Sequence, residues 1–394
     1  MAKDSAVVIA AAVRTPMGGF QGSLSSVKAP ELGAAAIKAS LARAGIAGEQ
    51  VDEVLMGCVL PAGLRQAPAR QASLGAGLPR SVGATTLNKV CGSGMKTVMI
   101  AHDLIKAGSA EVVIAGGMES MSGAPYLLEK ARGGMRMGHG QVLDHMMFDG
   151  LEDAYAGGAM GVFAQNTADD YGLTREQMDA YALESLRRAN AAIESRAFEA
   201  EIEPVTVATR KGEVTVSIDE QPGNARPEKI PSLRPAFAKE GTITAANSSS
   251  ISDGAAAVVV TTQAYAEANG MPVLARIVGH STHSQAPAEF TIAPVGAVNK
   301  LLNKLEWRAE EVDLFEINEA FAMVTMLAIQ ELGLDAEKVN VNGGACALGH
   351  PIGCSGTRIL VTLIHALKAR GLKRGVASLC IGGGEATALA VELV

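Results

Sequence analysis

Cys91-Gly-Ser-Gly-Met95 opens a helical pattern that closes near Gly108 and delivers the strand Glu111-Val112-Val113-Ile114-Ala115-Gly116-Gly117. Later in the chain, Cys354-Ser-Gly-Thr357 opens a second helical pattern. It closes at Gly371 and delivers residues 375–381, followed by Gly382-Gly383-Gly384. The order and spacing agree within a few residues. This repetition reads as two similar halves packed on one another, each aiming a helix-start loop and a glycine-rich strand end at a shared cleft. Working outward, residues 6–13, 53–59, 111–115, 256–262, 312–317, 375–381 and 386–391 read as buried strands, because their apolar residues run continuously instead of alternating. Helices are expected over 31–44, 174–195 and 357–370. The last carries Ile359, Leu360, Leu363, Ile364 and Leu367 on one stripe, Lys368 and Arg370 in its final turn and Gly371 as a C-terminal cap. This is α/β material.

Residues 120–247 differ in texture, being richer in Met, Gly, Arg and Glu, and read as an insertion into the first half. The expected division is therefore residues 1–119 with 248–270 as the N-terminal half, 120–247 as an inserted loop domain and 271–394 as the C-terminal half. A length of 394 residues is enough for such units without disulfide staples.

Composition removes several function classes. With 4% aromatic residues and a net charge of -7, the chain lacks both base-stacking platforms and the excess of Lys and Arg that displaces counterions from nucleic acid. Its longest apolar runs, such as 6–13 and 255–260, fall well short of the roughly 20 residues that cross a bilayer. Residues 1–4 lead straight into Val7-Val8-Ile9 without a cleavable or Arg-rich leader, and the final Val-Glu-Leu-Val is no sorting signal. The five cysteines are odd in number and form no C-x-x-C pair, so reduced thiols in a cytoplasmic compartment are expected.

Four segments carry the candidate chemistry. Cys91 lies just before a helix, where the macrodipole and unpaired N–H groups can pull a thiol from about 8.5 into the ~3.5–7.5 range and make it a nucleophile. A buried small hydrophobe is the competing reading of any free Cys. His350, within Gly349-His-Pro-Ile-Gly353, sits where Gly and Pro disfavour a helix. It can act as a base or an oxyanion donor, or be a satisfied structural residue. Cys346, His350 and Cys354 have helical ligand spacing, but the same Gly and Pro break that helix, so no metal is read there. Cys380 closes a strand before three glycines, which offers a proton-accepting sulfur beside bare N–H groups such as that of Gly382; a core cysteine before a turn is the alternative. Asn318, in Glu316-Ile-Asn-Glu-Ala-Phe-Ala322, could orient a water, or Asn318 or Glu319 could cap the next helix. Gly94-Met-Lys-Thr97 lacks the glycine that a phosphate-binding loop needs before its lysine, and no G-x-G-x-x-G follows a strand, so a dinucleotide enzyme is unsupported.

Cys91-Gly-Ser-Gly, Asn318-Glu-Ala-Phe, Gly349-His-Pro-Ile-Gly and Cys380-Ile-Gly-Gly-Gly, in that order over essentially the whole chain, resemble the thiolase family, the acetyl-CoA acetyltransferases and their 3-ketoacyl-CoA relatives. The resemblance implies duplicated βαβαβαββ halves in a five-layer αβαβα sandwich with an inserted loop domain. It also implies a homotetramer (a dimer of dimers) and a place in fatty acid metabolism. The implied reaction is a ping-pong condensation of two acetyl-CoA to acetoacetyl-CoA and CoA, with coenzyme A thioesters as substrates and no cofactor or metal. Cys91 would be acylated, His350 would take its proton, and Cys380 would deprotonate the second acetyl-CoA. His350 and a water on Asn318 would serve the enolate oxygen, and the N–H groups of Cys91 and Gly382 the tetrahedral intermediate. Leu151, Met160, Phe237, Ala245 and Ser249 match CoA-lining positions, and Ala320 and Phe321 border the acyl site. Arg132, Arg136, Arg210 and Arg226 could meet the CoA phosphates.

Three departures stand out. Ala159 replaces the histidine usual before Met160 in short-chain biosynthetic members, which favours a broader-chain 3-ketoacyl-CoA thiolase as the alternative. Cys346 and Cys354 replace apolar residues. Glu385 stands where uncharged residues are common. Condensing ketosynthases would need a second histidine or an asparagine where Cys380 stands, and a silent CoA- or lipid-binding relative would have lost one of Cys91, His350 and Cys380.

Overall fold

The computed structural model describes residues 6–394, so the reading of residues 1–4 lies outside the described residues. The elements that position the site are strands β1 (Val7–Arg14), β2 (Glu53–Gly57), β3 (Gly83–Leu87), β4 (Val112–Ser120), β5 (Ser252–Thr262), β6 (Ala275–Ser284), β7 (Leu314–Ile317), β8 (Arg374–Ile381) and β9 (Glu385–Leu393). The helices around them are α1 (Ala29–Ala44), α2 (Pro68–Gly75), α3 (Ser93–Ala107), α4 (Met160–Asp170), α5 (Arg175–Glu194), α6 (Ala293–Leu305), α7 (Ala322–Leu332) and α8 (Ser355–Arg370). Each strand expected from a continuous apolar run is present. Apolarity is continuous because both faces of each sheet are covered: Val113 and Ala115 of β4 face the central helices, whereas Val112 and Ile114 face α1 and α2.

The strands join in the order β7-β8-β9-β6-β1-β5-β4-β2-β3. Pairing is parallel for β2 with β3 and β4, and for β7 with β8; it is antiparallel along the rest of the path. The duplication is visible in this order. β3-β2-β4-β5-β1 of the first half corresponds to Val339 (bridged in parallel to Phe315), β7, β8, β9 and β6 of the second. Even the irregularities match, since β1 shifts register against β5 at Ile9/Ala11 and β6 shifts against β9 at Ile277/Gly279. Among the described residues, the halves meet edge to edge through the short pairing Val8↔Arg276 and Ile9↔Ala275.

Five layers result. α1 and α2 cover the first sheet, α3 and α8 fill the middle, and α6 and α7 cover the second sheet. The apolar stripe expected on α8 is instead buried all round, including Arg358, whose guanidinium lies 3.6 Å from Glu316, because a central-layer helix has a sheet on either side. α3 and α8 cross at their N-termini through glycine. A Cβ on Gly356 would lie 2.3 Å from the Met95 backbone nitrogen, and one on Gly94 2.9 Å from the Thr357 nitrogen. Between β4 and β5 the chain leaves the sheet to form α4, α5, which matches the helix expected over 174–195, and a hairpin of Val205–Thr209 with Gly212–Val216 that the sequence did not announce. No helix among the described residues is long and apolar enough to cross a membrane.

Candidate active site

Cys91 sits on a tight turn in front of α3. Val90 is left-handed at φ 46°, an expensive conformation for a β-branched residue. Side chains hold the turn: Asn88 Oδ1 accepts the Val90 N–H at 2.9 Å, Ser93 Oγ accepts the Lys89 N–H at 2.8 Å, and that hydroxyl donates to the Val90 carbonyl at 2.6 Å. Lys89 pairs with Glu385, which also accepts from Ser284 at 3.0 Å. The unusual Glu385 thus ties the glycine-rich end of β8 to the cysteine turn.

The thiol does not follow the sequence expectation of a depressed pKa. Burial pushes Cys91 up to about 11; the N–H groups of Gly382 and of Cys91 itself pull it down, but less strongly, and the Glu119 carboxylate pushes the same way as burial. A helix start lowers a thiol's pKa where solvent or cations share the charge. Here the desolvation cost is larger. Two backbone N–H groups nevertheless converge on the sulfur, the arrangement an oxyanion needs.

Cys380, fully buried at the end of β8, is raised well above the ordinary thiol value by burial and then by the charge of Cys91, so the two sulfurs share one site. Around it pack Met160, Phe237, Ala320, Phe321 and Cys346. Phe237 and Phe321 meet edge to face at 6.1 Å. Ser249 donates its N–H to the Ala320 carbonyl at 2.9 Å, which joins it to this wall. Leu151 packs with Cys91 against the cluster of Leu60, Met121 and Ile352. Ala245 is exposed and outside these clusters, as are Arg132, Arg136, Arg210 and Arg226.

His350 is buried on its loop, its N–H bonded to the Ser250 carbonyl at 3.0 Å. Its Nδ1 lies 2.5 Å from Ser355 Oγ, and that hydroxyl's single proton goes to the Pro351 carbonyl at 3.0 Å. Nδ1 is therefore the donor, and Nε2 keeps a lone pair with no protein partner. Burial, then the Arg358 charge, hold the imidazole down to about 3, so it is neutral, with its lone pair at Nε2. Asn318, also buried, has both amide atoms unpartnered. Neither Asn318 nor Glu319 caps α7, whose N-terminus has no side-chain cap. Glu319 instead accepts from Tyr181, Ser185, Asn340 and the Cys346 N–H. Cys354 packs in the central core.

Glu119 escaped the sequence reading. Buried in β4, it accepts the N–H groups of Val59 at 2.9 Å, Leu60 at 3.1 Å and Gly353 at 2.8 Å; burial raises it to about 7. It thereby fastens the His350 loop to the first half. A Cβ on Gly117 would lie 2.0 Å from the Gly353 carbonyl, which is why this strand end is glycine. A lone acid inside an apolar, glycine-containing strand was the available signal.

Two family models match in succession, the N-terminal domain of thiolase over residues 7–264 and its C-terminal domain over residues 271–393. The chain belongs to the thiolase family. Curated relatives of this thiolase include acetyl-CoA acetyltransferases of Pseudomonas aeruginosa (52% identical, over 97% of this chain and 98% of that one) and of Escherichia coli (53%, 98% of each). Among solved structures, the Bacillus anthracis acetyl-CoA acetyltransferase superposes with a TM-score of 0.97 at 44% identity over 99% of each chain. An Ascaris suum thiolase in complex with coenzyme A gives 0.94 at 42%, covering 99% of this chain and 100% of that one. The αβαβα sandwich with duplicated halves is thus the thiolase fold.

Proposed function

We infer that this thiolase is an acetyl-CoA C-acetyltransferase, joining two acetyl groups into acetoacetyl-CoA and cleaving it in reverse. The observation that carries the reading is the Cys91 sulfur met by the N–H groups of Cys91 and Gly382, with the buried Cys380 sulfur near enough for the two charges to act on each other; the names of the relatives support the substrate. In the first half-reaction His350 Nε2 takes the Cys91 proton, the sulfur adds to the thioester carbonyl, and the oxyanion rests on the N–H groups of Cys91 and Gly382. CoA leaves with the proton that His350 returns. A neutral thiol beside a neutral imidazole costs little to bury, and the charge develops only when the acyl group is present to accept it. In the second, His350 Nε2 takes the Cys380 proton, the resulting thiolate removes an α-proton from another acetyl-CoA, the enolate oxygen is held by the protonated His350 and a water on Asn318, and the carbanion attacks the acetyl group on Cys91, which leaves as thiolate and recovers the proton from His350. The unpartnered Asn318 amide and His350 Nε2 support these assignments.

Residues 120–247 form the loop domain that takes CoA, between halves made of 1–119 with 248–270 and of 271–394. Leu151, Met160, Phe237, Ala245 and Ser249 line the pantetheine and adenine, and Ala320 and Phe321 border the acyl group. The assembly is a cytoplasmic homotetramer. Ala159, immediately before Met160 at the start of α4, favours a second reading, in which longer 3-ketoacyl-CoAs are also cleaved. Rates of CoA-dependent cleavage across chain lengths separate the two: a steep fall beyond acetoacetyl-CoA supports the first, and a flat or rising profile the second. No cleavage of any 3-ketoacyl-CoA would overturn both.

A further inference from the structure

Far from the sulfurs, His102 and Asp103 on α3 and His280 on β6 come together. Asp103 Oδ1 lies 3.0 Å from His102 Nδ1 and 2.9 Å from His280 Nε2. The two rings stand edge to face at 86°, with centroids 5.1 Å apart. One potential ligand atom from each residue lies within 4.8 Å of the other two. We propose that His102 Nδ1, His280 Nε2 and Asp103 Oδ1 form a binding site for a divalent transition-metal ion of the zinc type, with water as the fourth ligand.

The geometry suits that ion. Zn–N and Zn–O bonds of about 2.0–2.2 Å in a tetrahedron set ligand atoms roughly 3.3–3.5 Å apart, so the observed 2.9 and 3.0 Å separations need to open by only a few tenths of an ångström. The rings meet edge to face instead of stacking, and His102 Nδ1 and His280 Nε2 both approach Asp103 Oδ1. Two imidazoles select against Mg²⁺ and Ca²⁺, which prefer all-oxygen shells. Both rings are 14% exposed while Asp103 is 60% exposed, so the supporting groups are held and the carboxylate side is open for entry and for the water.

Without metal, the ionised carboxylate accepts both N–H groups, so the protons sit on His102 Nδ1 and His280 Nε2. Binding moves each to the other nitrogen of its ring. The ion's two charges are met by one carboxylate. Lys304, bonded to the His280 carbonyl at 3.4 Å, is the opposing charge nearby. The ion would link the central helix of the first half to the seam strand of the second. At ~1.5 Å per residue it lies roughly 14 Å along α3 from Ser93, so it braces the packing of the halves without touching the chemistry.

The test uses the full chain stripped with chelator, in a Cys91→Ser background to remove a competing thiolate, with Zn²⁺ alone in equilibrium dialysis and Co²⁺ as the spectroscopic probe. One ion per chain is expected, with a Co²⁺ spectrum lacking thiolate charge transfer and a raised Tm. Asp103→Asn and His280→Ala should each weaken binding by at least about 100-fold, while the metal-free Tm of Asp103→Asn stays near the parent. The site is overturned if no ion binds, if thiolate bands appear, or if affinity is unchanged in both variants. Should His280→Ala fail to fold, the exposed Asp103→Asn decides alone.

Discussion

The starts of α3 and α8 are the same structural device put to two uses. Each helix begins with Ser-Gly, Ser93-Gly94 and Ser355-Gly356, and each serine hydroxyl donates back to a carbonyl of the preceding turn. In the first half that oxygen also accepts a backbone N–H, from Lys89, and the turn so closed presents a thiol. In the second it accepts from His350 Nδ1, and the turn presents an imidazole of fixed tautomer. Once the backbone frame was duplicated, the partner of one hydroxyl was enough to separate a nucleophile's turn from a base's.

The comparison breaks most visibly at the nucleophile. Cys91→Ser should end acyl-enzyme formation and lower turnover by on the order of 10⁴-fold or more; mass spectrometry still showing an acetylated chain would take Cys91 out of its role. Cys380→Ala should keep acetylation by acetyl-CoA yet reduce condensation by about 10²–10⁴-fold, since only the second half-reaction deprotonates carbon. Equal loss of both would contradict that division. Ser355→Ala should lower kcat by about 10–10²-fold with little change in KM, because Nε2 loses its enforced lone pair. Ser93→Ala should instead loosen the cysteine turn and lower Tm; identical phenotypes would dissolve the contrast. Gly356→Ala, which drives a methyl into the Met95 backbone, should cost about 1–3 kcal/mol or prevent folding, and a neutral result would place the helix crossing wrongly. The smallest signature is in pH. His350 protonates only near 3, so the Cys91 acetylation rate should show no inflection around 6.5, the ordinary histidine value; a fall in rate below pH 6.5 would mean that the ring is hydrated.

Much of this was legible in the chain. Buried strands announced themselves because sheets covered on both faces need no polar alternation, and Gly371 ended α8 in the left-handed conformation expected of it. The repeat was legible too, but its alignment was offset by one residue. The sequence set Cys91 beside Cys354, whereas the helix starts pair Ser93 with Ser355, so Cys354 occupies the place of Gly92 and packs in the core. Other features depend on partners remote in sequence. Burial reverses the Cys91 shift, Glu119 collects N–H groups from two distant loops, and Lys89 neutralises Glu385. None of these is encoded in local periodicity, because desolvation and charge pairing are set by what the tertiary fold brings alongside.

The glycine crossing of α3 and α8 carries a further consequence. Backbone meets backbone there, so the spacing between the two turns is set by main-chain van der Waals radii and not by adjustable rotamers. A half-formed chain has a thiol without the facing imidazole and the converging N–H groups, so the complete acyl-transfer site comes into being only when the two parts close on one another.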